Sequence, residues 1–340
     1  MTTFAIAGTV NRDRIVTLDG VVHASLGGIL YNALALARCA APLDRIRLYA
    51  RLGEEDRAEV LGLLAQRPAQ PPAQPPAQPP AHPPAQPPAQ LPTIDPSELV
   101  FLPGGSNEAT LTYTGADART ETLIDRVGPL ADDEIIPAGR ADFLLANLIS
   151  GWDFTPGQIA RAAATGGARV LLDVQSLALA PPGPDGLRRY RPIEEWREWC
   201  RAVEVVKGND AEIGWFVGRP LATPADLAWA AARVLDAGPR ALVVTLGARG
   251  AFVAADQMPA GRFVPAVPEV KVADATGCGD AFAAGFLAEF AQSDDPLRAT
   301  CAGIAIAALV AETRGLAALL ALPDPRALFA RLWRSAAIET

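Results

Sequence analysis

Short runs of continuous apolar, often β-branched residues alternate along this chain with longer stretches rich in Ala and Leu. Phe4–Ala7, Arg47–Ala50, Phe143–Ala146, Val170–Asp173, Val203–Val206 and Leu242–Thr245 read as strands. Leu30–Ala40, Pro156–Ala164, Pro224–Asp236 and Ala281–Ala291 read as helices. Strands with no polar face must be covered on both sides, which calls for a parallel sheet flanked by helices. The expected fold is α/β, a doubly wound and mostly parallel sheet whose ligands collect at the carboxyl ends of the strands. Two segments break the pattern. Residues 14–25 and 108–123 alternate polar and apolar side chains, as strands with one open face do.

A third segment can join neither layer. Residues 69–92 are a tandem repeat of the Ala-Gln-Pro-Pro type, with His82 in the place of one Gln. A tetrapeptide that is half proline cannot pair as a strand or propagate a helix. It also carries too few apolar groups to offset the cost of ordering. Residues 66–92 are therefore expected to be a disordered, Pro-rich insert within a single domain spanning residues 1–340, and His82 is no ligand candidate.

Composition narrows the function. Half of the 340 residues are hydrophobic, enough for a sizeable core. A net charge of −8 without a basic cluster argues against nucleic acid or an anionic membrane surface as partner. Cys39, Cys200, Cys278 and Cys301 are widely spaced, and with two histidines in the chain a zinc site is not expected. Free thiols suit a reducing compartment. With no basic, apolar leader pattern and no lipid-length apolar span, the protein is expected to be cytoplasmic.

The chemistry concentrates at residues 274–280, Asp-Ala-Thr-Gly-Cys-Gly-Asp, which run into an apolar segment with Phe282, Phe286 and Phe290 on one helical stripe. A Gly-rich turn opening a buried helix aims unpaired N–H groups and the positive end of the helix dipole at one point, where an anion fits. A carboxylate at the mouth of such a site makes sense if it takes a proton from a group attacking the anion, so Asp280 is a candidate general base. A plain glycine turn with Asp as a helix cap is the local alternative. Neither Lys207 nor Lys271 follows a glycine, which excludes a P-loop, and Phe282 stands where a dinucleotide loop needs its third glycine.

This segment resembles the C-terminal signature of the ribokinase-like (PfkB) carbohydrate kinases, D-T-x-G-A-G-D. Four further blocks fall in that family's order. Gly8–Asp13 looks like the first strand and sugar-binding turn, and Gly27–Asn32 like the G-G-x-x-x-N signature. Asn209–Glu212 looks like the N-x-x-E block, and Val243–Gly250 like the nucleotide-binding strand and turn. The resemblance covers nearly everything outside the repeat. It implies ATP-dependent phosphorylation of a hydroxyl on a small sugar-like or nucleoside-like substrate, with Mg²⁺. The two alternating segments would then form a β lid over the sugar site, through which two copies could pair as a homodimer.

The resemblance also assigns roles. Asp280 would be the base, with Gly277, Cys278 and Gly279 forming the anion hole. Asn11, Asp13, Gly27, Gly28 and Asn32 would bind the sugar, and Asn209, Thr245, Gly247 and Gly250 the nucleotide. Glu212 would hold Mg²⁺ through water, although Asn209 and Glu212 also have the spacing of an ordinary capping box. Asp274 and Thr276 sit where many relatives build a monovalent-cation loop, so potassium is a further expectation. Asn147 and Asp173–Ser176 are weaker candidates for pocket walls. Cys278 replaces a common Ala and reads as a packed small residue. Ile29, followed by Leu30 and Tyr31, stands where ribokinases often carry Lys. An apolar pocket wall is expected there, which disfavours ribose itself. A family member that binds sugar or nucleotide without catalysis is the alternative from another class.

Overall fold

The computed structural model describes residues 1–66, 91–115 and 119–338, so the body of the Pro-rich repeat lies outside the described residues. The strands are β1 (Thr3–Thr9), β2 (Asn11–Val16), β3 (Val22–Leu26), β4 (Arg45–Gly53), β5 (Thr93–Asp95), β6 (Leu99–Leu102) and β7 (Asn107–Tyr113). They continue with β8 (Arg119–Ile124), β9 (Phe143–Asn147), β10 (Arg169–Asp173), β11 (Val205–Asn209), β12 (Ala241–Thr245), β13 (Ala251–Ala255) and β14 (Met258–Val264). The helices are α1 (Ile29–Cys39), α2 (Arg57–Ala65), α3 (Asp132–Ile135), α4 (Pro156–Gly166) and α5 (Trp196–Arg201). After them come α6 (Asp210–Val217), α7 (Pro224–Asp236), α8 (Cys278–Ser293), α9 (Pro296–Ala311) and α10 (Arg326–Ile338).

The main sheet runs in the order β14-β13-β12-β11-β10-β9-β1-β4-β5, with β6 also on β4. From β12 across to β5 all neighbours are parallel, and β13 and β14 add an antiparallel hairpin at one edge. Successive residues of the same strand serve two different cores. Phe4 and Ile6 of β1 belong to the core shared with α1, α8 and α9, whereas Ala5 and Ala7 belong to the core on the other face, which also holds Ile159 of α4, Phe216 of α6 and Leu227 of α7. That is the doubly covered parallel sheet expected of strands with no polar face. The local signals are conventional ones. Thr155 and Thr223 close capping boxes with Gln158 and Asp226, each followed by a proline at the first helical position.

The alternating segments form a separate four-stranded sheet in the order β3-β2-β7-β8. Residues 14–25 are a hairpin rather than one strand, and its first strand begins earlier, at Asn11, so that β1 leads almost directly into the second sheet. Burial along β2 and β7 alternates, leaving one face covered and one open. Val203, expected in a strand, lies just ahead of β11.

Candidate active site

The Gly-rich turn does open a helix. Gly277 is the N-cap of α8 at φ +78, a left-handed conformation that favours glycine. A β-carbon there would also meet Tyr31 Cδ1 at 2.1 Å, so the aromatic ring of α1 lies directly against the turn. The N–H groups of the first turn have no carbonyl within the helix. Cys278 is an exception to its expected role, because its N–H donates to Ala275 O at 3.3 Å inside the turn. Its thiol is pushed up to about 12 by burial, which makes it a packed, unreactive group.

Asp280 follows in the first turn and is buried at 8% exposure. Asn147, at the carboxyl end of β9, donates from Nδ2 to Asp280 Oδ1 at 2.8 Å and to Asn32 Oδ1 at 2.9 Å. Asn32 in turn donates to the Asp280 carbonyl at 2.9 Å. Asn147 thereby fixes the Asp280 carboxylate, while Asn32 holds Asn147 and the Asp280 backbone in place. Asn32 was expected to touch the sugar. Instead it is fully buried, with its amide engaged beneath Asp280, and it does not line the pocket.

That pocket lies between the two sheets. It is lined by Asn11, Asp13, Gly28, Tyr31, Glu121, Gln175, Thr276, Gly277 and Asp280, among others. Asn11 Oδ1 is buried there without a hydrogen-bond partner, the condition of an acceptor built for a ligand's hydroxyl. Gly27 is a glycine because a β-carbon would strike Asp13 Oδ2. Of the expected apolar wall only Tyr31 faces the pocket. Ile29 and Leu30 point into the core, because the first turn of α1 packs them beneath β1.

One participant was missed at the sequence level. Lys207, near the end of β11, is buried, and its Nζ lies 2.7 Å from Asp173 Oδ2. A β-carbon on Gly279 would sit 3.2 Å from the same Nζ, so the ammonium borders the start of α8. Burial pushes Asp173 up to about 6, against the pull of Lys207. Burial pulls the other way on Lys207, but the neighbouring carboxylates, Asp173 first, hold its pKa above the ordinary lysine value. The signal available beforehand was a lone lysine in the otherwise apolar run Val205–Gly208, two residues before Asn209.

The remaining expected residues divide. Asn209 and Glu212 form a reciprocal capping box at the start of α6, each bond 2.8 Å, and Glu212 also lines a second cleft beside the first. Neither cleft is lined by Thr245, Gly247 or Gly250. Gly250 owes its identity to φ +98 and to Val264 O, which a β-carbon would approach to 2.1 Å, and so to the edge hairpin. Thr276 N–H donates to Asp274 Oδ1 at 2.9 Å, and the lid reaches this loop twice. His23 Nε2 is 3.3 Å from Asp274 Oδ2, and the Tyr113 and Thr276 hydroxyls are 3.3 Å apart. Among the described residues no group of three or more His, Cys, Asp or Glu is placed to hold a metal ion. Among them, too, no helix is long and apolar enough to cross a membrane.

Residues 181–323 match the pfkB family carbohydrate kinases. A ribokinase of Arabidopsis thaliana is 24% identical over 172 residues, a stretch that covers 50% of this chain and 41% of that protein. The structure of Arabidopsis thaliana ribokinase complexed with ribose and ATP superposes with a TM-score of 0.69 at 17% identity, over 97% of this chain and 98% of that one. A Burkholderia thailandensis nucleoside kinase in complex with inosine gives 0.64 at 17%, over 98% and 96%. A pyrophosphate-dependent kinase in the ribokinase family gives 0.67 at 16%, over 92% and 96%. The chain thus has the ribokinase-like fold and carries, over residues 181–323, the match to the pfkB carbohydrate kinases that its motifs resemble.

Proposed function

We propose that the protein transfers the terminal phosphoryl group of ATP to a hydroxyl of a small sugar-like acceptor. The observation that carries this reading is the position of Asp280. Its carboxylate is fixed by Asn147 at 2.8 Å, lines the polar pocket that holds Asn11 and Asp13, and belongs to the third residue of α8, whose start Lys207 borders. An acceptor hydroxyl in that pocket gives its proton to Asp280 as its oxygen attacks the γ-phosphorus, and the bond from that phosphorus to the β–γ bridging oxygen breaks to release ADP. Phosphoryl transfer asks little covalent chemistry of a protein beyond positioning and charge stabilisation. Asp13 and Asn11 orient the acceptor. Lys207 and the N–H groups of the first turn of α8 beyond Cys278 stabilise the charge on the transferring group, and the four-stranded lid excludes water.

Glu212, at the start of α6, is the carboxylate that would hold a magnesium ion through water, and that ion would supply neutralisation of the donor phosphates' charge. Asp274 Oδ2, buried and 3.3 Å from His23 Nε2, would be the oxygen this loop offers to a potassium ion. The test is Asp280→Asn, which keeps shape and removes the base. Turnover is expected to fall by about 10²–10⁴-fold while ATP binding persists. Turnover near the wild-type rate would remove Asp280 from the mechanism.

A further inference from the structure

A second cleft opens beside the acceptor pocket, and the two share Glu121, Gln175 and Ser176 as lining. It is the roomier of the two, about 330 Å³ against about 60 Å³, and is otherwise walled by Leu179, Leu187, Tyr190 and Glu212 among others. Gln175 stands at the join in a conformation that side chains rarely adopt, φ +31. Its Oε1 is shielded from solvent and has no hydrogen-bond partner. Backbone strain held at a pocket junction, together with an unmatched buried acceptor atom, marks a residue kept for a ligand.

The chemistry of the cleft selects what enters. Its arginines are already engaged. Arg188 is paired with Glu121 at 2.7 Å and Arg189 with Asp185 at 3.1 Å. With both lining arginines paired to carboxylates, an anionic substituent finds no unpaired cation there, and the Glu121 charge is balanced by Arg188. Tyr190 stacks in parallel on Trp215 with ring centroids 6.0 Å apart, and with Leu179 and Leu187 it gives a firm apolar and aromatic wall. Such a wall favours a flat, uncharged group.

We propose that the acceptor is bipartite, with its polyol part held by Asn11 and Asp13 and a flat, uncharged substituent passing Gln175 into the second cleft. Gln175 is then the specificity-determining residue, its amide meeting the substituent or the bond that joins it to the sugar. This deepens the kinase reading above and rests on it.

The experiment compares ribose with uncharged ribonucleosides and aryl ribosides as acceptors for the purified full-length protein, following kcat/KM. The substituted acceptors are expected to exceed ribose by about tenfold or more, the scale on which a fitted apolar group discriminates. Gln175→Gly keeps the positive φ without strain and deletes the amide. It is expected to hold or raise Tm while shrinking that preference at least several-fold. Ribose used as well as its substituted forms, or an unchanged preference in Gln175→Gly, overturns the proposal and leaves the kinase reading standing. Phosphorylation of none of these acceptors, nor of other sugars and polyols, overturns both.

Discussion

Lys207 Nζ lies 2.7 Å from Asp173 Oδ2, at 4% and 0% residue exposure, on neighbouring parallel strands that end beneath the start of α8. A buried pair of this kind is costly to assemble, and breaking it is costlier, about 3–5 kcal/mol when one partner is removed. Here its position explains its presence. Gly279 lets the ammonium approach the helix start where a transferring phosphoryl group would sit.

Structure and chemistry can therefore be separated at this pair. Lys207→Met alone is expected to lower Tm clearly, because Asp173 is left buried without its cation. Lys207→Met combined with Asp173→Leu is expected to recover most of the Tm and none of the phosphoryl transfer. Recovery of activity along with stability would assign the pair a purely structural role.

The same pair sets a dependence on pH. The Asp173 carboxyl is held up to about 6 by burial. Between the ordinary carboxylate range and that value, the folded protein keeps a proton that the unfolded chain has released. Asp173 therefore makes stability fall as pH rises through this window, with no further loss above it. Carboxylates held low, such as Asp56, Asp226, Asp294 and Asp324, act in the opposite sense, so the quantity to read is a difference. Subtracting the Tm curve of Asp173→Asn from that of the wild type should give a line that declines from about pH 4 to about pH 6 and then flattens. A flat difference throughout would show that Asp173 titrates normally.

Much of this was legible in the sequence because the signals were local. Continuous apolar runs gave the parallel strands, and stretches rich in Ala and Leu gave α1, α4, α7 and α8. Alternation in residues 108–123 gave the open-faced second sheet. The glycine turn ahead of Asp280 announced the helix start directly. What stayed hidden depends on distant packing. Asn32 and Asn147 are 115 residues apart and meet only when α1 and β9 converge under Asp280. The direction of Ile29 and Leu30 follows from the rotation of α1 on the sheet, which a residue pattern this short does not specify. Gly250 illustrates the converse, a glycine of the expected nucleotide turn that the backbone of the edge hairpin itself requires.

Asp13 offers a test of the acceptor side alone. It lines the pocket from β2, with Gly27 opposite, and is 7% exposed. Its hydrogen bonds to acceptor hydroxyls would be charge-assisted, each contributing about 1.5–3 kcal/mol. Asp13→Ala is expected to cut kcat/KM for the acceptor at least tenfold, with ATP affinity measured by calorimetry nearly unaltered. A matching loss of ATP affinity would mean that Asp13 supports the fold of the site instead.

The lid offers the last test. Arg188 is wholly buried, and beyond Glu121 Oε1 at 2.7 Å it donates to the carbonyls of Ser150 at 2.6 Å and Ala180 at 3.1 Å. Its own N–H donates to Glu121 O at 2.9 Å, and Thr122 bridges Leu187 in antiparallel fashion, so β8 is fastened to the main domain by side chain and backbone together. Removing the guanidinium takes from Glu121 a buried cation 2.7 Å away beside the acceptor pocket and undoes the bonds to the Ser150 and Ala180 carbonyls. Arg188→Met is therefore expected to loosen β8, raising KM for the acceptor several-fold and increasing hydrogen exchange at residues 119–124. The double variant Arg188→Met with Glu121→Gln should recover part of the stability by removing the carboxylate charge that Arg188 balanced, yet keep the raised KM because the clasp is still gone. If the double variant restored KM as well, charge balance alone would account for the role of Arg188, and the lid would close without the clasp.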